Sequence, residues 1–223
     1  MPEERVTRKF VYVFEANSQE QHDQTVQDVA YMFGQTDERT KNPNELTSVQ
    51  ISTFAIWRTN FGQDVSLGGG IIVPELTPAE QVLNAVVDMI PQDTFGIITA
   101  PLGFVSSEFL SDRIRTLLNR SIVGVAGFVA RRPSEESAEQ IHKLITETLK
   151  VEEDTYVARC LFPDGSISSV DINGLATSML AWKAVGGLPV MMQDPMTAFC
   201  ALVQSMGYVI AHRPLGTSAT KEE

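Results

Sequence analysis

The chain has 223 residues, 17 of them Lys or Arg and 28 Asp or Glu, for a net charge of −11. That surplus repels phosphate backbones and anionic membrane surfaces, so nucleic acid is disfavoured as a partner. Apolar residues make up 43 % and charged residues 20 % of the chain, an ordinary globular composition with enough apolar side chains for a core.

The composition is even along the chain, and one domain over residues 8–215 is expected, with flexible polar ends at 1–7 and 216–223. No apolar run approaches the ~20 residues of a membrane helix. Residues 1–9 are polar and charged, so no leader is read there and a cytoplasmic location is expected. Cys160 and Cys200 stand far apart in apolar surroundings without C-x-x-C spacing. They read as buried free thiols of a reducing compartment.

The first element is the apolar, β-rich run 9–14. Asn17 or Ser18 then caps a helix to about Phe33, with Val26, Val29, Ala30 and Phe33 on one face, and Gly34 closes it. Residues 35–47 read as a polar loop and 49–57 as a second strand. Gly68-Gly69-Gly70 precedes a short strand, 71–73. Thr77-Pro78-Ala79-Glu80 is a helix start, with a capping Thr, Pro at the first helical position and Glu three residues after the cap. This helix runs to about Ile90, and residues 95–99 form a strand.

Ser106 or Ser107 opens a helix to Asn119, and 122–129 is a further buried strand. Ser134-x-x-Ser137 leads into a helix to Lys150. The runs 156–161 and 167–170 flank Pro163-Asp164-Gly165, a hairpin turn signal. A last helix spans about 195–206, and a strand 208–211 follows. Strands and helices alternate for the first 130 residues, which is an α/β pattern around a central, mostly parallel sheet flanked by helices.

The last third carries a series of phrases: Pro163-Asp164-Gly165, then Val185-Gly186-Gly187-Leu188, then Gln193-Asp194-Pro195, then Gly207-Tyr208-Val209-Ile210-Ala211-His212-Arg213-Pro214. In order and spacing this resembles the C-terminal half of a GT-A glycosyltransferase of the family 2 type. The resemblance implies a GT-A-like single domain. It also implies a nucleotide-sugar donor, a hydroxyl acceptor, and an Asp at a helix start that takes the proton of the attacking hydroxyl. Here that residue is Asp194, with the amide of Gln193 in place of an acidic neighbour. Trp182, Gly186, Gly187 and Gln193 fall on the acceptor side. Asp194 before Pro195 is also an ordinary helix cap, so both roles are open.

On the donor side the chain departs from the pattern. The family ends its fourth strand in D-x-D, whose carboxylates hold a divalent cation against the diphosphate. Those positions fall on Ala100 and Leu102, which supply no side-chain oxygen, so no divalent metal and no other cofactor is expected. At the end of the second strand Trp57 and Arg58 stand in place of the acid that reads the base or ribose. Trp57 either stacks on a base or packs in the core, and Arg58 either pairs with phosphate or is solvated. Asn17 is the residue kept after the first strand.

Arg131 and Arg132 either receive an anionic group or form a solvated turn, and Lys183 is a further candidate for the diphosphate. Gly68-Gly69-Gly70 leads into a strand rather than a helix, which favours a turn over a phosphate loop. His212 lacks carboxylates beside it to share a metal.

The sequence therefore supports a divergent, metal-independent glycosyltransferase moving a sugar from a nucleotide-sugar to a hydroxyl acceptor. The alternative is a non-catalytic GT-A-like binding or scaffold protein, with a protein partner, that has lost the donor site.

Overall fold

The computed structural model describes residues 6–40, 47–59, 70–101, 106–119, 122–129, 134–149 and 169–212. In chain order the elements are β1 (Val6–Ala16), α1 (Gln19–Thr40), β2 (Thr47–Thr59), β3 (Gly70–Pro74), α2 (Ala79–Met89), β4 (Thr94–Thr99) and α3 (Ser107–Asn119). Then follow β5 (Val123–Gly127), α4 (Glu135–Leu149), β6 (Ala176–Ser178), α5 (Met179–Val185), α6 (Pro195–Ser205) and β7 (Val209–His212).

The seven strands form one sheet in the order β3-β2-β1-β4-β6-β5-β7. β1 to β4 pair in parallel, and β5 pairs with β7 in parallel. The three-residue β6 runs antiparallel to both its neighbours, β4 and β5. Strands β1, β4 and β5 are apolar on both faces because helices cover both sides, as in parallel sheets generally. One layer packs Val82, Leu83 and Val86 of α2 with Trp182 of α5 and Phe199 of α6 against Val11, Val13 and Ile97. The other packs Val29 of α1 and Leu110, Ile114 and Leu117 of α3 against Phe10, Tyr12 and Ile98.

Several element boundaries differ from the sequence reading, each for a local reason. Helix α1 continues through Gly34 to Thr40, since one exposed glycine costs a helix only about 1 kcal/mol. In α2 the cap position is Pro78, extended at φ −56° and ψ 140° with no side-chain cap bond, so Thr77 does not cap. The carbonyl of Thr77 instead accepts from Arg58 at 2.7 Å. Strand β5 ends at Gly127, and Val129 makes an isolated bridge to Val170 with its side chain exposed. Strand β6 and helix α5 carry no clear signal in the sequence. Three residues carry no usable period, and the seven of α5 span two turns. The Pro163-Asp164-Gly165 hairpin lies outside the described residues. No helix among the described residues is long and apolar enough to cross a membrane.

Gly124 is where β5 meets the α5–α6 layer. A Cβ there would lie 2.7 Å from Val203 Cγ1, 2.8 Å from Tyr208 Cβ and 2.9 Å from Ala181 Cβ, closer than carbon atoms approach. Gly124→Ala is expected to cost about 1–3 kcal/mol, the range for overpacking. Urea unfolding measures it, and an unchanged midpoint would show that the layer gives way freely.

Candidate functional site

In this sheet order the connections leave β1 in opposite directions. The chain passes from β1 through α1 to β2 on one side, and returns from β3 through α2 to β4 on the other. The two helices lie on opposite faces. A crevice therefore opens beyond the C-terminal ends of β1 and β4, the place where open α/β sheets gather ligands. A cleft of about 400 Å³ occupies it, within the range of small-molecule sites. Its floor is the end of β1, with Tyr12, Val13 and Phe14, and the end of β4, with Thr99 and Ala100. One wall is α1, through Gln21 and Thr25. The opposite wall is α2, through Ala79, Val82 and Leu83. Glu15, Asn17, Ile172 and Asn173 form the rim.

Residues 171–175 are pinned over the end of β4. The Thr99 hydroxyl donates to the carbonyl of Ile172 and accepts from Leu175 N–H at 3.0 Å. Thr99 N–H donates to Leu175 O at 2.8 Å, and Gly174 N–H to Ala100 O at 3.2 Å. Arg113, fully buried in α3, donates from Nε to Gly174 O at 3.0 Å and lies over the rings of Phe109 and Phe128, 4.8 and 5.0 Å from their centres. Its Nη1 pairs with Asp112 at 2.8 Å. Gly174 is left-handed, with φ +73°, and a Cβ would meet Phe128 at 2.4 Å, so only glycine fits. Asp171 accepts from both the backbone and side-chain nitrogens of Asn173, which fixes that amide on the rim.

The same bonds decide what the end of β4 can hold. Ala100 presents a methyl group, and its carbonyl is engaged by Gly174; the Thr99 hydroxyl is engaged twice. Among the described residues no three His, Cys, Asp or Glu side chains converge. This donor set does not fit a hard divalent cation, which takes carboxylate and carbonyl oxygens. Leu102 lies outside the described residues.

The other sequence candidates are distributed as follows. Asn17 and Ala100 line the cleft. Trp57 does not: it is 2 % exposed, its indole stacks on His22 of α1 at 5.2 Å, and so it takes the core alternative. Its position on β2, between Ala16 of β1 and Ile72 of β3, turns the ring under α1. Arg58 is fully occupied by the scaffold. Its Nη2 and Nε reach Glu15 Oε1 at 2.8 Å, and its Nη1 reaches the carbonyls of Glu75 and Thr77 at 3.0 and 2.7 Å. Arg131 and Arg132 lie outside the described residues.

Trp182 is buried against Phe199, with ring centres 5.1 Å apart. Gly186 and Gly187 end α5 with positive φ, both donating to Trp182 O. The side chain of Asn84 on α2 then pairs with both backbone groups of Leu188 at 2.9 Å. Gln193 is exposed and accepts from Ser137 at 3.1 Å.

Asp194 caps α6: Oδ1 accepts from Thr197 N–H at 3.1 Å and Oδ2 from the Thr197 hydroxyl at 2.8 Å. This cleft opens between α1 and α2, and Trp182, Gly186, Gly187, Gln193 and Asp194 are not among its lining residues. Lys183 is exposed and donates to the carbonyl of Gln92. Cys200 is free and buried, and burial pushes its thiol up to about 12, which leaves it inert.

Comparison of the whole chain with solved structures matches a mannosyltransferase from Pyrobaculum calidifontis, solved with GDP-Man and Mn2+. The two superpose over 92 % of this chain and 54 % of the other at a TM-score of 0.51, with 10 % identity. The fold is GT-A-like. The chain spans about half the length of that mannosyltransferase, and at such low identity the likeness reaches the fold alone, not the family 2 type. A 4-diphosphocytidyl-2C-methyl-D-erythritol synthase from Anaerococcus prevotii DSM 20548 also matches. It covers 92 % of this chain and 86 % of its own, at 10 % identity and a TM-score of 0.42. No protein-family model and no curated protein sequence matches the chain.

Tyr12, Gln21, Thr25 and Asn173 are cleft residues that the sequence reading missed. Tyr12 sits within an apolar strand and reads as core. Asn173 reaches the rim only through the Thr99 and Arg113 bonds, which no spacing encodes. Those bonds are testable. Arg113→Leu keeps the apolar stem but leaves Gly174 O without this donor, and is expected to cost about 2–3 kcal/mol. Thermal unfolding reads the loss; a variant as stable as the parent would mean that the 171–175 segment holds without Arg113.

Proposed function

We propose that this chain is a GT-A-like protein that binds a nucleotide-sugar in the cleft beyond β1 and β4, and does so without a divalent metal. The observation that carries the reading is the cleft at the crossover of α1 and α2, on a GT-A-like fold. The metal-free part rests on the donor set at the end of β4, a methyl group and carbonyl and hydroxyl oxygens already engaged. On this reading the chain holds its ligand as a binding or scaffold module rather than transferring its sugar. The capping of Asp194 supports this, since both its oxygens are engaged by Thr197.

Thermal unfolding with a panel of nucleotide-sugars, in EDTA and in Mn2+, tests the binding. A ligand present at a hundred times its Kd stabilises by about 2.7 kcal/mol. For a chain of this length that is a rise of about 5–10 °C in Tm, expected to be the same in EDTA. No shift with any nucleotide-sugar would sink the proposal, and a shift that needs Mn2+ would sink its metal-free part.

A second reading, a metal-independent glycosyltransferase with Asp194 as base, is favoured by one observation: the carboxylate heads α6 and is half-exposed rather than sealed in the core. Asp194→Asn separates the readings. Asn caps a helix about as well as Asp, so stability holds. A transferase would lose ~10²-fold or more in turnover, the scale of general-base catalysis. On the binding reading, assay of sugar transfer or donor hydrolysis finds no turnover for this substitution to remove.

A further inference from the structure

Of the asparagines in the chain, Asn173 is the one followed by glycine. No other neighbour leaves an asparagine so reactive. The backbone nitrogen of the next residue, once it gives up its proton, can attack the side-chain amide carbon, and glycine puts no Cβ in the way. A C–N bond forms, the amide group leaves with that proton as ammonia, and the ring that closes is a succinimide. Water then opens either of its carbonyls, which gives aspartate or isoaspartate. Water is the only reactant needed, so the fold decides whether the pair reacts.

The fold requires this glycine. Gly174 is buried with φ +73°, and a Cβ on it would lie 2.4 Å from the Phe128 ring. The same fold restrains the reaction. The Gly174 N–H that must lose its proton donates to Ala100 O at 3.2 Å, and Gly174 O accepts from Arg113 Nε at 3.0 Å. The Asn173 amide, which must swing over that nitrogen, donates instead to Asp171 Oδ1 at 2.9 Å. The Asn173 N–H donates to the same oxygen at 2.8 Å. The attacking nitrogen and the attacked carbon are thus held by separate partners. Asn173 itself is half-buried at the cleft rim, within reach of water.

We infer that Asn173 is a modification site of this chain: it stays an amide while residues 171–175 are pinned over β4, and it deamidates when that segment opens. The inference goes beyond the proposed function and does not depend on what the cleft binds. The product does not close again as the parent does. Aspartate at 173 brings a second carboxylate to hydrogen-bond distance of Asp171, where like charges repel. Isoaspartate lengthens the main chain by a carbon just before Gly174, where the Phe128 contact and the Ala100 and Arg113 bonds leave no slack. Either way the rim loses a neutral amide and gains a negative charge.

The test incubates the native full chain, the same chain unfolded in urea, and Arg113→Leu in mildly alkaline buffer. Peptide mass mapping reads the exchange of amide for acid at Asn173, and an isoaspartate-specific methyltransferase reads the isoaspartate formed. In urea Asn173 is expected to convert ahead of the other asparagines. The native chain is expected to convert at least about tenfold more slowly, because the rate follows the fraction of molecules in which the segment is open. Arg113→Leu, folded by circular dichroism, is expected to convert about tenfold faster than the native parent. An Asn173 that does not convert in urea, or that converts as fast in the native chain as in the unfolded one, overturns the inference. A folded Arg113→Leu that converts at the parent rate overturns the control by the pinned segment. If that variant does not fold, the parent in urea below its unfolding transition takes its place. A rate that climbs there is expected, and a rate that stays flat until the whole chain unfolds overturns opening of the segment by itself.

Discussion

The bonds that pin residues 171–175 across the end of β4 hold the rest of the molecule in register. Strand β6 has three residues, and among the described strands it joins the β3-β2-β1-β4 half of the sheet to β5 and β7. Three residues of ladder are a weak seam. The Thr99 hydroxyl, the Ala100 carbonyl and the Arg113 guanidinium extend it, engaging the backbone of residues 172, 174 and 175 just before β6 begins. Each of these groups is removed from water, so each unmade bond would carry its desolvation cost. Arg113 is also held by two aromatic faces, which suits a planar, weakly hydrated cation better than an ammonium group. The seam thus fixes the strand order and places Ile172 and Asn173 on the cleft rim at the same time.

A second lock sets the opposite rim. Arg58, at the end of β2, ties Glu15 at the end of β1 to the carbonyls of Glu75 and Thr77 at the entry to α2. The guanidinium fork satisfies three groups on two chain segments at once, which a single point charge would not do. The result is a well-placed wall and a cleft whose lining carboxylate, Glu15, is already paired with Arg58. Two basic residues, Arg58 and Arg113, are therefore scaffold, and the character of the cleft follows: amides, hydroxyls and apolar surface, with one neutralised carboxylate at its mouth.

The sequence by itself determined the architecture. Apolar strands separated by amphipathic helices produce a doubly covered parallel sheet, and the continuous apolar runs of β1, β4 and β5 belong in one sheet because such runs need cover on both faces. It also shows that Ala100 and Leu102 bring no side-chain oxygen to the residues after β4. Helix starts with side-chain caps were legible too, as at Ser134 and Asp194, because a cap is a contact within one turn.

Only the tertiary structure decided how the site is made. Trp57 and Arg58 have two readings each in sequence, ligand contact or core and solvent, since both end a strand on the side where ligands gather. The parity of the strand turned one under α1, and Glu15, 43 positions away, claimed the other. Tyr12 is core, as its apolar strand indicates, and it also borders the cleft, because the crossover of α1 and α2 opens a crevice beyond the end of β1. Asn173 came to the rim through partners about 60 to 75 residues distant, Thr99 and Arg113, which hold its neighbours. The division has a physical cause: backbone period and capping depend on neighbours along the chain, whereas a site depends on which side chains long-range packing has already used, and a linear pattern carries no record of that.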